Sequence, residues 1–142
     1  MRVSETERRL LIATAHELAD VARVETLRHF RSAGLTADSK ETKRFDPVTV
    51  ADRAAEAAMR AVLAERRPKD GILGEEFGTK PSESGLTWVL DPIDGTRGYL
   101  SGTPTWGVLI SVRDAQGVIY GLIDQPYIRE RFEGGLGRAL VT

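Results

Sequence analysis

The chain has 142 residues, 41% of them hydrophobic and 29% charged, with 20 basic against 21 acidic side chains and a formal net charge of −1. That length allows one domain with its own core, and the charge balance leaves no electrostatic footprint for nucleic acid or an anionic membrane as partner. There is no cysteine, which excludes a disulfide framework, a zinc–thiolate site and a Cys nucleophile. No apolar run approaches the roughly 18 residues that span a bilayer. The start, MRVSETERRLL, is charged and has no apolar h-region. Read without an export signal, the chain is expected in the cytoplasm.

Ser4 followed by Glu7 is a capping-box pattern. Leu10, Leu11, Thr14, Ala15, Leu18, Ala19 and Ala22 continue it at helical spacing. A helix is predicted from about Glu5 to Arg31, stopped by Gly34. His16 and His29 both lie on it, too far apart for an i, i+4 metal pair, and read as surface or rim histidines. The polar stretch LTADSKETKRFDPVT reads as a loop or frayed hairpin. TVADRAAEAAMRAVLAERRP predicts a second helix, with Thr49 as N-cap, alanines of high propensity, and Pro68 ending it. KDGILGEEFG reads as a turn, a short apolar piece and an acidic pair. LTWVLD reads as a strand ending at Asp91. Trp106–Val112 and Val118–Ile123 flank the turn RDAQG as the clearest hairpin. RERFEGG suggests a further short strand, and GRALVT a strand broken off in mid-sheet. Helices first and strands after predict an α+β fold, with N-terminal helices packed on a mostly antiparallel or mixed sheet.

Acids cluster at the ends of these elements: Asp52 in a helix's first turn, Glu75 and Glu76 after GILG, Asp91 and Asp94 after WVL. With no Cys and no suitably spaced His, a metal here must be held by oxygen, which suits Mg²⁺, Mn²⁺ or Ca²⁺. Like charges a few ångströms apart are unstable unless a cation sits between them or one takes a proton. Pro92 fixes φ and is expected to stop the strand, so that the chain turns and both Asp91 and Asp94 address one site. The following Gly-Thr can start a short helix, whose free N–H groups at Gly95 and Thr96 would form a phosphate cradle. Metals beside such a cradle point to phosphoryl transfer, with water as the nucleophile. Plain alternatives stand beside each residue. Asp52 could complete a capping box with Thr49, Glu75 and Glu76 could be solvated turn residues, and Asp-Pro and Asp-Gly are common turn pairs.

The segments DPVTVAD (Asp46–Asp52), GILGEEFG (Gly71–Gly78) and WVLDPIDGTRGYLSG (Trp88–Gly102), taken in order, resemble the inositol monophosphatase family of Mg²⁺-dependent, lithium-sensitive phosphatases. The resemblance runs over essentially all 142 residues. It implies the first half of the layered inositol monophosphatase and fructose-1,6-bisphosphatase fold. It implies Glu75, Asp91, the Ile93 carbonyl and Asp94 as metal ligands, for Mg²⁺ or Mn²⁺. Asp94, Gly95 and Thr96 would bind substrate phosphate, and Thr96 would orient the attacking water with the support of Asp52 and Thr49. Lys43, Glu76 and Arg97 are further candidates. GTRGYLSGTPTWGVLISV with GLIDQPYIRERFEGG resembles the histidinol-phosphate phosphatase branch, with inositol phosphate or another sugar or nucleotide phosphate as the rival substrate. A non-catalytic metal- or phosphate-binding module is the rival of another class. Family members are much longer and carry a downstream Trp-Asp whose aspartate completes the second metal site. Trp88 and Trp106 are not followed by Asp. Residues 1–142 are therefore expected to be the N-terminal metal- and phosphate-binding domain of a longer phosphatase, with little activity alone. The family further implies a homodimer acting on a small phosphorylated substrate.

Overall fold

The computed structural model describes residues 3–32 and 47–142, with the backbone alone at 47–49. Helix α1 spans Glu5–His29, and the Ser4 hydroxyl accepts from the Glu7 N–H at 3.1 Å, as the capping box predicts. It ends two residues before the expected Arg31. Phe30 leaves helical geometry at ψ 131 and lays its ring against Tyr99, Trp106 and Tyr127, with centroids 5.4, 5.2 and 5.3 Å away. Helix α2 spans Pro47–Arg66. Proline suits the first helical position, where its missing N–H would have no partner anyway. Thr49 is therefore inside the helix rather than its N-cap, and Asp52 lies beyond the first turn, which removes the capping-box alternative for that pair. Gly34, Lys43 and the stretch expected as a loop up to residue 46 lie outside the described residues.

The strands are β1 (Gly71–Gly74), β2 (Gly78–Lys80), β3 (Thr87–Asp94), β4 (Gly107–Asp114), β5 (Gly117–Gln125), β6 (Glu130–Gly135) and β7 (Arg138–Val141), with a short helix α3 (Thr96–Ser101) between β3 and β4. They form one sheet in the order β2-β1-β3-β4-β5-β6-β7. β1 and β3 run parallel, and every other neighbouring pair is antiparallel. The hairpin β4–β5 stands where the alternation places it, and GRALVT forms the edge strand β7, paired with β6. β3 does not stop at Asp91 as Pro92 leads one to expect; it continues to Asp94.

Both long helices cover one face of the sheet. Leu11, Leu18 and Ala22 of α1, with Ala55, Met59 and Leu63 of α2, pack on Trp88, Leu90, Val108, Ile110, Tyr120 and Leu122. The period-2 alternation of the strands puts their other side chains on the opposite face. That face carries Leu73, Ile123, Phe132 and Val141, which are 41%, 46%, 37% and 65% exposed. With Val89 and Leu109 they line an open apolar trough of about 1280 Å³ that reaches Glu75 and Asp91 at one end. Among the described residues no helix is long and apolar enough to cross a membrane.

On the helix side, α1 is tied to β5 and β6 by charge. Asp124, fully buried, accepts from Arg23 Nη2 at 2.5 Å and from Arg131 Nε at 2.9 Å. Arg131 also reaches Asp20 at 2.9 Å, and His16 Nδ1 at 3.0 Å. Arginine can only donate, so His16 Nδ1 accepts and Nε2–H donates to Glu133 at 3.0 Å. His16 is thus a rim residue with two assigned partners. Removing one member of a buried ion pair typically costs about 3–5 kcal/mol, because the charge left behind has no partner. Asp124→Ala is expected to lower unfolding free energy by about that amount in urea denaturation, while Arg9→Ala, whose partner Glu5 is exposed, leaves the midpoint unchanged.

Candidate active site

Glu75 and Asp91 come side by side because the parallel pairing of β1 with β3 ends at Gly74 and Leu90. In the β1–β3 register Leu73 lies opposite Val89 and Gly74 opposite Leu90. The next residues along are Glu75 and Asp91, so both leave the same end of the sheet. This is where open sheets with parallel strands commonly bind ligands.

Asp94 joins them through an irregularity in β3. Asp91 stands opposite Leu109 and Asp94 opposite Gly107, so β3 takes one residue more than β4 over the same span. This is a β-bulge. In an even strand, positions 91 and 94 would face opposite sides of the sheet; the surplus residue returns both to the side away from the long helices. Pro92 tolerates this position because a bulge needs no ladder N–H there. Pro92 and Ile93 are both buried, breaking the alternation, while Asp91 is half-buried and Asp94 exposed. The proline therefore acts by admitting the bulge, where it was expected to end the strand.

The carboxylates sense one another. Burial, then the negative charges of Glu75 and Asp94, push the Asp91 carboxyl up to about 6, against the pull of the Ile93 backbone N–H, which donates to it; Glu56 adds a smaller push. Among the described residues, however, no three His, Cys, Asp or Glu side chains are drawn together closely enough to hold an ion as they stand. In kind, the donors fit a hard divalent cation: oxygen only, with negative charge in excess.

Gly95 caps α3 in left-handed geometry at φ 91, and a Cβ there would sit 2.6 Å from the Thr105 carbonyl oxygen. Only glycine permits this approach. Thr96 and Arg97 follow it, both exposed. Asp52 lies on α2 with its Oδ1 buried. Burial and then the charge of Asp52 push the Tyr99 phenol above its ordinary range, which puts Asp52 within electrostatic reach of α3, the helix that begins with Thr96. Glu76 pairs with α2, its Oε1 lying 3.5 Å from Arg53 Nε. Thr49 is placed by its backbone alone, and Lys43 lies outside the described residues.

Sequence reasoning passes over Glu56. Set four residues before Arg60 on an alanine-rich helix, it reads as half of a solvated i, i+4 pair. In the structure it is fully buried beneath the β1–β2 turn. The one local signal for it is Gly74, where a Cβ would collide with the Glu56 carboxylate. In the IDQP…ER run, Asp124 and Arg131 form a buried ion pair that Arg23 of α1 joins, on the helix side of the sheet.

The profile of the inositol monophosphatase family matches residues 7–141. The chain belongs to that family. It is 39% identical to the histidinol-phosphatase of Mycobacterium tuberculosis over 129 residues, which is 91% of this chain and 48% of that protein. It is 37% identical to the inositol-1-monophosphatase ImpA of Mycolicibacterium smegmatis over 133 residues, 93% of this chain and 46% of that one. Among solved structures, the inositol monophosphatase of Zymomonas mobilis superposes with a TM-score of 0.79 at 41% identity, covering 98% of this chain and 52% of the other. The chain thus spans about half the length of such relatives.

The Asp91 shift fixes a sign for pH dependence. Its folded-state value of about 6 lies above the ordinary 3.8. The folded chain therefore holds that proton more tightly than the unfolded chain does, and stability falls as pH rises from about 4 to about 6. Asp91→Asn lacks that loss. In metal-free buffer its thermal midpoint should exceed that of the unsubstituted chain at about pH 7.5 and converge with it near about pH 4.

Proposed function

We propose that this chain is the metal- and phosphate-binding half of a phosphomonoesterase, and that the whole enzyme hydrolyses histidinol phosphate. The observation that most supports this reading is the bulge between Asp91 and Asp94, which puts both on one side of β3, beside the end of β1 from which Glu75 emerges. Glu75, Asp91, Asp94 and the Ile93 carbonyl would hold Mg²⁺, or Mn²⁺ in its stead. Such a cation, when bound, lowers the pKa of a water and offsets charge on phosphoryl oxygens.

The chain's own residues divide the remaining work. The Gly95 and Thr96 N–H groups donate to the substrate phosphate, and Arg97 stands beside them as an exposed cation. The Thr96 hydroxyl orients the attacking water, with Asp52 supporting it from α2. The second half of the parent protein would lie across the apolar trough, covering Leu73, Ile123 and Phe132 and excluding water from the acidic end. The half-length match to relatives and the exposure of that face support this arrangement.

Identities of 39% and 37% to a histidinol-phosphatase and an inositol-1-monophosphatase leave the two substrates in direct competition. Phosphate release by the full-length parent with Mg²⁺, from histidinol phosphate and from inositol 1-phosphate in parallel, decides between them. The expected result is turnover of histidinol phosphate, reduced at least about a hundredfold by Asp91→Asn. Turnover of inositol 1-phosphate alone rejects the substrate. Undiminished turnover by the Asp91→Asn parent rejects the catalytic assignment.

A further inference from the structure

A wholly buried carboxylate is costly unless its oxygens are satisfied, and Glu56 is satisfied in an unusual direction. It lies on α2 with no exposed surface. Its Oε1 accepts from the Glu76 N–H and its Oε2 from the Phe77 N–H, both at 3.1 Å. These are the two amides that follow Glu75 in the β1–β2 turn. Arg60 Nε donates to Oε2 at 3.0 Å, and the same guanidinium donates through Nη2 to the Gly78 carbonyl and stands 5.9 Å from the Phe77 ring centroid. Gly74, just before Glu75, is kept free of a side chain by the same carboxylate. So the residue before Glu75 and the three after it are each fixed by Glu56 or Arg60, while Glu75 itself stays exposed.

We propose that Glu56 is the positioning residue of the metal site: through the Glu76 and Phe77 amides it sets where the Glu75 carboxylate emerges beside Asp91. This rests on the reading of Glu75, Asp91 and Asp94 as cation ligands. Glu56 does not touch the ion; it removes the turn's freedom to carry Glu75 away. Groups that orient metal ligands from outside typically account for about 10–100-fold in metal affinity. Glutamine at position 56 keeps the shape but sets an NH₂ group against one of two N–H donors, so one of the two bonds to the turn is lost.

The test is Mn²⁺ binding by the 142-residue chain, followed by the electron paramagnetic resonance signal of free Mn²⁺, with hydrogen exchange of the Glu76 and Phe77 amides measured metal-free. The expected result is about tenfold weaker Mn²⁺ binding in Glu56→Gln, together with lost protection of one of those two amides. Arg60→Lys, which leaves the carboxylate in place and removes the guanidinium fork, should give a smaller loss of both. It serves as the variant if Glu56→Gln does not fold. Unchanged Mn²⁺ affinity in a folded Glu56→Gln or Arg60→Lys chain, with only a lower thermal midpoint, overturns the proposal and leaves the site standing. Retained binding in Glu75→Gln, or none in the unsubstituted chain, overturns the reading of the site and the proposal with it.

Discussion

Along a regular strand, consecutive side chains face alternate sides, and two residues three apart cannot serve one site. Asp91 and Asp94 keep to one side of the sheet because β3 carries a surplus residue against β4. Much of the rest depends on that irregularity. It buries Pro92 and Ile93 together, which lets Ile93 join the second core with Phe30, Ala51, Tyr99 and Trp106. That core seats α3, and α3 in turn fixes Gly95 against the Thr105 carbonyl. A bulge of this kind is a designed feature of a strand beside a site, since it re-aims a side chain at the cost of ladder bonds.

The acidic end is electrostatically uncomfortable, and the surrounding protein bears that discomfort in two different ways. Glu56 is neutralised within the fold by Arg60 and two amides. Asp91, among the described residues, has the Ile93 N–H on its side and is pushed toward its neutral form by burial and by its acidic neighbours. One carboxylate is satisfied inside the fold, and the other is held above its ordinary range. Departures from local consistency of this kind concentrate at functional sites, where the cost is offset elsewhere in the fold. Here the offset is the apolar packing of α1 and α2 over β3 and β4.

How much of this was legible depends on the range of the interactions involved. Helix α1, its Ser4 cap and the β4–β5 hairpin follow from spacing alone, because capping and alternation are local. The acids of DPIDGT stood out for the same reason. Pro92 was misread since the local rule, that proline ends strands, is overridden by pairing with β4, which the local rule ignores. Thr49 was misread because Pro47 makes an earlier helix start. Glu56, Asp124 and Arg131 were invisible as buried groups. Their partners lie on other elements, and a charged side chain read in isolation is taken as solvated.

Asp124 and Arg131 also change what the branch resemblance can mean. They sit in the run that suggested a histidinol-phosphate substrate, yet they face α1 through Arg23 and Asp20, on the opposite side of the sheet from the trough that reaches Asp91. A residue there cannot touch a substrate held at Glu75, Asp91 and Asp94. It can fix how α1 lies on β5 and β6, and α1 carries Phe30 and Arg31 at its end. Arg31 stacks 4.5 Å over the Tyr127 ring and donates to the Gly102 carbonyl at 2.9 Å, at the far end of the helix that begins beside Gly95. What this run fixes is thus the placement of α1 and, through Arg31, of the end of α3. On the proposed reading, the side chains that read the rest of the substrate would come from elsewhere, across the open trough beside Glu75 and Asp91.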